Sequence, residues 1–311
     1  MSEALRGSAR SDARAVNETG LDRGGSAALD RAAEGLAGVA GLFVCAGDGA
    51  VLYERRADEE FPAASVIKVP LLMTVYADAA EGRLSLDERL PAGQRIDGTG
   101  VLRHLPDIAP LTIRDHATLA TIVSDNTATN RLLERIGVEH VGARMRAWGC
   151  VATRFERKMY DFDAANCGYE NVATPREIGW LLLRLLRGDL RDAPDSALVE
   201  RERPAGDAAT ARDRATADEI LAVMEKTQDD TLLARYLPPA TRIAHKTGSL
   251  DAVRNDAGVI WGTRPIVAVG FVKDVGDVRV AQPLLGLLGW LAFGAGGGNA
   301  RGLPPEWAER A

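Results

Sequence analysis

Cysteine and metal-binding spacings are scarce in this sequence. The 311 residues include three cysteines, Cys45, Cys150 and Cys167, an odd and unpatterned set that argues against a disulfide framework and suits a reducing compartment. The four histidines show no H-x-H or H-x-x-x-H spacing, and the cysteines have no ligand spacing either, so zinc chemistry is not expected. We therefore expect a protein that uses neither a metal nor another cofactor.

A strong net charge and long apolar runs are also missing. The formal net charge of -6 leaves no basic patch for nucleic acid. The apolar run at residues 284–293 is shorter than the roughly 20 residues that span a bilayer, so no membrane partner is expected. The first 25 residues contain no apolar segment typical of a secretory signal. The expected location is the cytoplasm, or outside it if a leader has been removed.

Lysine is also rare in this sequence. It supplies five of the 38 basic residues, and arginine supplies the others. Arginine cannot give up its proton, whereas a lysine can do so when burial or nearby cations lower its pKa. Lys68 and Lys246 therefore stand out as positions where arginine would not serve.

Strand-like segments lie at both ends of the folded region, and helical segments lie between them. The simplest architecture is an α+β fold, in which an antiparallel five-stranded sheet is flanked by terminal helices and an all-α domain is inserted between the second and third strands. A cleft between the two parts would be the natural site. The predicted division is a disordered leader (1–25), an α/β domain (26–60 and 217–295), an all-α domain (61–187), a charged flexible insertion (188–216) and a flexible tail (296–311).

The first motif is SVIK, at residues 65–68, at the head of an apolar run predicted to be a helix. Residues three apart on a helix share a face, so the Ser65 hydroxyl and the Lys68 amine can come within hydrogen-bonding reach. A lysine pushed toward neutrality can take the proton of a serine and make it nucleophilic. The alternative is that Ser65 caps a core helix and Lys68 extends to water.

Two further motifs follow, SDN at residues 124–126 and KTGS at residues 246–249. Each has a structural alternative, because Asp125 could simply cap a helix and KTG could be an ordinary strand end. On an edge strand facing a cleft, however, Lys246 would bring positive charge near Ser124 and an incoming carboxylate. All three motifs would occur together by chance in roughly one sequence in ten thousand.

The three motifs, in this order, resemble those of the class A β-lactamase family of penicillin-recognising serine hydrolases. The phrases FPAASVIK, SDNTATN, RYLPPATRIAHKTGS and VRNDAGVIW are also similar to that family, and the resemblance covers roughly residues 26–293. It implies an α/β domain with an inserted α domain, in agreement with the order of elements predicted above. It also implies that Ser65 is the acylated nucleophile and Lys68 its proton relay. Ser124 would pass a proton to the departing lactam nitrogen, and Asn126 would bind the side-chain amide of the substrate.

The KTGS segment is predicted to bind the substrate's carboxylate. Lys246 would supply the charge, and Thr247 and Ser249 would donate hydroxyl hydrogen bonds. The oxyanion hole would be formed by the N–H groups of Ser65 and Ser249. Arg254 lies where the family often keeps an arginine and is a second candidate anchor, with a plain surface arginine as the alternative.

One feature of the family is missing. Class A enzymes carry a glutamate that activates the water freeing the acyl-enzyme, in a pattern E-x-x-L-N. When the TRFER run is laid on the family's similar T-R-L-x-R, Met159 falls at the glutamate position, and methionine cannot act as a base. Asp163 falls near the asparagine, and Asp161 and Glu156 are the nearest carboxylates that could substitute. The missing glutamate affects the expected deacylation step and does not affect the acylation step.

Three functions are consistent with these observations. The first is a class A-type serine β-lactamase that hydrolyses the β-lactam amide through an acyl-enzyme on Ser65. The second is a D-alanyl-D-alanine peptidase or esterase, and the third a penicillin-binding protein that is acylated but deacylates poorly. Each predicts a small-molecule substrate and a monomeric protein.

Overall fold

The computed structural model describes residues 21–192, 210–300 and 302–308. The strands are β1 (Val39–Ala46), β2 (Val51–Arg55), β3 (Phe61–Pro62), β4 (Arg89–Leu90), β5 (Leu111–Thr112), β6 (Val172–Ala173), β7 (Ile243–Leu250), β8 (Val253–Trp261) and β9 (Pro265–Lys273). The helices are α1 (Arg23–Glu34), α2 (Lys68–Ala80), α3 (Ile113–Ile122), α4 (Asn126–Ile136), α5 (Val138–Ala147), α6 (Phe162–Asn166), α7 (Pro175–Arg187), α8 (Ala211–Met224), α9 (Ala281–Ala295) and α10 (Pro305–Ala308).

Five strands form one antiparallel sheet in the order β2-β1-β9-β8-β7. The first two strands are consecutive in sequence, and β7, β8 and β9 come from the last third of the chain. The α+β fold with a five-stranded antiparallel sheet is therefore confirmed. Strand β7, which carries the KTGS motif, lies at an edge of this sheet, so one side of its backbone is free to face a neighbouring element.

Both faces of the sheet are buried. Alternate residues of each strand point to opposite faces, so each face has its own packing partners. On one face, Leu42 and Val44 belong to an apolar cluster with Leu285 and Leu288 of α9, and α1 packs against α9. On the other face, Phe43 packs edge-on against Trp180 of α7. Helix α7, which the sequence analysis assigned to the all-α domain, thus contacts the sheet directly.

Helix α2 is the central helix of the helical region. Its first eleven residues are all buried, and it packs against α3, α5 and α8. A helix that is apolar all round can be stable only when other elements surround it. The SVIK motif therefore leads into the interior of the fold.

Two helices begin before the positions at which the two segments of the α/β domain were predicted to start. Helix α1 starts at Arg23, three residues before the predicted residue 26, and Asp22 caps it. Helix α8 starts at Ala211, six residues before the predicted residue 217, and Thr210 caps it. Residues 1–20 of the predicted leader and residues 193–209 of the predicted insertion lie outside the described residues.

Part of the predicted flexible tail is bound to the rest of the protein. The indole N–H of Trp290 donates to the carbonyl of Gly302 at 2.9 Å. Glu306 accepts a hydrogen bond from the Tyr236 hydroxyl and pairs with Arg235 at 3.4 Å. These contacts hold residues 302–308 against α9 and the loop that precedes β7.

The segment Val278–Ala295 is long and apolar enough, by length and composition alone, to cross a membrane, and half of it is buried. This segment is longer than the run of residues 284–293 that was judged too short in the sequence. Most of it is α9, which packs against β8, β9 and α1. A core helix of a globular fold passes the same test.

Candidate active site

Ser65 lies in a 3₁₀ turn, Ala64–Ile67, that runs directly into α2. The sequence analysis placed Ser65 and Lys68 together on the first turn of one helix; in the structure Lys68 is the first residue of α2. Ala64 has a φ of 47°, in the left-handed region that non-glycine residues rarely adopt. The half-buried Ser65 therefore sits where backbone N–H groups point along the start of a helix.

Lys68 joins the first motif to the second. Its Nζ donates to the carbonyl of Ser124 at 2.8 Å, to the Ser124 Oγ at 3.1 Å and to the Asn126 Oδ1 at 2.8 Å. These three groups, and not Ser65, are its hydrogen-bond partners. The side chain is buried and does not extend to water. Burial holds the pKa of Lys68 well below its ordinary value, the charge of Lys246 lowers it further, and Asp125 opposes the shift.

The SDN motif is the corner between α3 and α4. Asp125 caps α4, accepting from the Ala128 N–H at 2.9 Å, so the predicted structural role for this residue is present. Its second oxygen accepts from the N–H groups of Val101 and Leu102 at 2.7 and 2.8 Å. One carboxylate therefore ties the residue 101–102 loop to the helix that carries Asn126.

Ser124 itself has an unusual backbone, with a φ of 55°. The Thr99 hydroxyl donates to the Ser124 carbonyl at 2.6 Å, and Lys68 donates to the same oxygen. The Asn126 Nδ2 donates to the Asp97 carbonyl at 2.8 Å, which orients its Oδ1 toward Lys68. The strained conformation of Ser124 is thus held by hydrogen bonds from two separate elements.

The KTGS motif lies closest to the SVIK motif at Gly248. A side-chain carbon at Gly248 would lie 3.0 Å from the Ala64 Cβ and 3.0 Å from the Ser65 nitrogen. Only glycine allows β7 to approach the turn this closely. Ser249 and Leu250, the last two residues of the strand, are exposed. The approach therefore places the exposed end of β7 beside the turn that carries Ser65.

Lys246 is as deeply buried as Lys68. Its Nζ donates to the Thr247 carbonyl at 2.8 Å. Burial lowers the pKa of Lys246 to about 8, against the opposing charges of Asp256 and Asp229. Lys246 is consequently protonated below about pH 8. Its positive charge is one of the causes of the lowered pKa of Lys68.

Arg254 is paired across the strands with Ser249. Its Nη2 lies 3.3 Å from the Asp229 Oδ2 and 3.3 Å from the Thr231 Oγ1. Arg254 is therefore not a plain surface arginine, because it is only 16% exposed and has a carboxylate partner. The sequence analysis missed Asp229 and Thr231, which lie in the loop between α8 and β7 and match no motif.

The loop before α7 places Met159 close to the SDN helix. The Asn130 side chain accepts from the Met159 N–H at 2.8 Å and donates to the Met159 carbonyl at 2.9 Å. Asn130 lies four residues after Asn126, so the two side chains share one face of α4. Met159 is thereby anchored one helical turn from a residue that binds Lys68. The sequence analysis did not identify Asn130, although its spacing from Asn126 was a usable signal.

The carboxylates considered as substitutes for the missing glutamate are engaged elsewhere or exposed. Asp161 caps α6, accepting from the Ala164 N–H at 3.0 Å. Glu156 accepts from the Glu170 N–H at 3.1 Å and lies 3.7 Å from Arg154. Asp163 is exposed on α6. Across the described ranges, no group of three or more His, Cys, Asp and Glu side chains is arranged to hold a metal ion.

Comparison with known proteins identifies the family. A model described as "Beta-lactamase enzyme family" matches residues 26–199 and 208–291. A β-lactamase of Stenotrophomonas maltophilia is 28% identical over 258 residues, which cover 79% of this chain and 76% of that protein.

Two solved structures are similar in fold and sequence. A β-lactamase from Sphaerobacter thermophilus is 29% identical with a TM-score of 0.74, covering 88% of this chain and 97% of that one. A leucine-to-glutamate mutant of PBP-A, solved as an acyl-enzyme complex with penicillin G, is 27% identical with a TM-score of 0.73 over 89% and 97% of the two chains. The family match covers well over half of the sequence. The chain therefore belongs to the β-lactamase enzyme family, as a member of class A, whose members are serine hydrolases that act on β-lactam amides.

Proposed function

We propose that β-lactams acylate this protein at Ser65 and that the acyl group is then released slowly. The observation that carries the proposal is the buried Lys68, bound to Ser124 and Asn126. Its lowered pKa favours the neutral amine, which can take the proton of the Ser65 hydroxyl. The Ser65 oxygen then forms a bond to the lactam carbonyl carbon.

Ser124 is the proposed proton donor to the leaving nitrogen. When the lactam C–N bond breaks, the nitrogen requires a proton, and the Ser124 hydroxyl lies 3.1 Å from the Lys68 Nζ. The proton taken from Ser65 by Lys68 can therefore replace the one that Ser124 gives up. The charge of Lys246 favours this relay, because it helps to keep Lys68 from holding its proton.

The proposed oxyanion hole consists of the N–H groups of Ser65 and Ser249. The close approach at Gly248 supports this assignment, because it brings the two backbones side by side. Lys246, Thr247, Ser249 and Arg254 are the proposed groups for the carboxylate of a β-lactam, with Asn126 for its side-chain amide. A guanidinium, an ammonium and two hydroxyls give charge-assisted hydrogen bonds to an anion.

We expect slow release because, among the described residues, none of the three candidate carboxylates is a hydrogen-bond partner of Lys68. Met159 is anchored to Asn130, one helical turn from the residue that accepts from Lys68. Asp161 and Glu156 are hydrogen-bonded elsewhere. General-base activation of water contributes roughly 10²–10⁴-fold to such a hydrolysis. The acyl-enzyme complex of the leucine-to-glutamate mutant of PBP-A with penicillin G provides a precedent for β-lactam acylation among relatives of this fold.

Intact-protein mass after exposure to benzylpenicillin, with turnover of a chromogenic cephalosporin measured in parallel, tests the proposal. We expect one stable adduct per chain and slow turnover. Ser65→Ala should form no adduct, while Ser85→Ala, at an exposed serine on a loop, should react like the wild type. Fast turnover without an adduct would instead establish an efficient β-lactamase. Hydrolysis of acyl-D-Ala-D-Ala or a simple ester, with no β-lactam reaction, would establish a peptidase or esterase.

A further inference from the structure

Asp229 is an acidic side chain among the groups proposed to bind the substrate's carboxylate. It lies 3.3 Å from the Arg254 Nη2. The hydroxyl and the N–H of Thr231 both donate to its Oδ1, at 2.6 and 3.2 Å. Since Thr231 also contacts Arg254 at 3.3 Å, the three side chains form one connected cluster. The carboxylate is therefore held in place against the guanidinium.

Asp229 remains charged and acts on more than Arg254. Burial acts to raise the pKa of Asp229, but hydrogen bonds from Thr231, the charge of Arg254 and a hydrogen bond from the Thr247 side chain bring it below its ordinary value. Its charge also raises the pKa of Lys246 against the effect of burial. One internal carboxylate thus interacts with three of the four groups proposed to bind the carboxylate of the substrate.

The other carboxylate near these groups, that of Asp256, does not compete with the substrate for them in the same way. Asp256 is paired with Thr247 across the strands but is fully buried. It accepts from the Leu233 N–H at 3.0 Å and lies 3.0 Å from the His245 Nδ1. Asp229, by contrast, is 31% exposed. The end of β7, where a ligand would bind, is exposed as well.

We propose that Asp229 is an internal competitor for the carboxylate-binding groups, so that the site accepts acyl donors with an uncharged group at that position about as readily as anionic ones. The proposal rests on the proposed function and specifies its substrate class. A second carboxylate at Arg254 would be repelled by Asp229 and would have to share its donors. Arg254 can still bind an anion, because its side chain remains 16% exposed beside its contacts with Asp229 and Thr231. Asp229 therefore weakens anion binding without abolishing it.

The experiment compares benzylpenicillin with its methyl ester, which differ at this position by the charge and one methyl group. The second-order rate constants for acylation of Ser65 are measured by intact-protein mass at about pH 6, where Lys246 is protonated. We expect similar rate constants for the two compounds in the wild type. Asp229→Asn should raise the ratio of the anionic to the neutral compound about fivefold to tenfold, the size of a partly screened charge interaction.

Asp230→Asn is the matched control, because it removes the same charge from the exposed neighbouring residue. It should leave the ratio unchanged. Asp229→Ser, which also removes the charge, should move the ratio in the same direction as Asp229→Asn if either variant folds. An unchanged ratio would overturn the proposal, and a lower ratio would show that Asp229 instead orients Arg254 for the substrate. Absence of acylation by both compounds would refute the proposed function and this proposal with it.

Discussion

Replacing Met159 by glutamate is the most informative perturbation of this site. The main chain at residue 159 is held by two hydrogen bonds from Asn130, at 2.8 and 2.9 Å. Asn130 follows Asn126 by four residues, a rise of about 6 Å along the helix, and Asn126 accepts from Lys68 at 2.8 Å. Because the backbone anchor involves no atom of the Met159 side chain, Met159→Glu should keep the loop in place and direct a carboxylate toward Lys68.

We expect Met159→Glu to release the acyl group about 100-fold faster than the wild type, at the lower end of what general-base catalysis contributes, since this loop has not evolved around a carboxylate. The gain corresponds to about 2.7 kcal/mol in the activation free energy. The variant should be somewhat less stable, because Met159 packs against the main apolar core.

The assay loads each variant with benzylpenicillin, removes the excess and follows the adduct mass with time. Met159→Gln is the matched control, because glutamine has nearly the same size as glutamate but cannot act as a base. The reasoning is refuted if Met159→Glu releases the acyl group no faster than the wild type. It is equally refuted if Met159→Gln accelerates release as much as Met159→Glu does.

Three further predictions concern Lys68, Lys246 and Asp125. Lys68→Arg should slow adduct formation at least about 100-fold, because arginine cannot release its proton; an adduct formed at the wild-type rate would exclude Lys68 as the base. With a pKa of about 8, Lys246 is a cation below that pH and neutral above it. The rate constant for acylation by benzylpenicillin, divided by that for its methyl ester, should therefore fall as the pH rises through 8; a ratio that does not change with pH would contradict this. Asp125→Ala should lower the free energy of unfolding by about 2–4 kcal/mol in urea, because three backbone N–H groups lose their acceptor; a loss below about 1 kcal/mol would count against the assigned role.

The pattern of residues along the sequence was sufficient to predict much of the architecture. The strand-like segments at both ends of the folded region were predicted from the sequence, as was their joining into one antiparallel sheet, since a strand's hydrogen-bonding partner is often the next strand in sequence. Helix starts were less accurate. Thr210 and Asp213 form a capping box at the start of α8, and this signal was present in the sequence but was obscured by the surrounding charges.

The chemistry at the site was only partly accessible from the sequence. The sequence determined which groups are candidates, because Ser65, Lys68 and Lys246 are residue types that the proposed reaction requires, at spacings that local geometry makes useful. Tertiary structure decided which groups meet. Lys68 contacts Ser124, 56 residues away, and Arg254 is paired with Asp229. Contacts between residues distant in sequence depend on how whole elements pack, and the pKa of each lysine depends on burial, so neither can be predicted from neighbours along the chain.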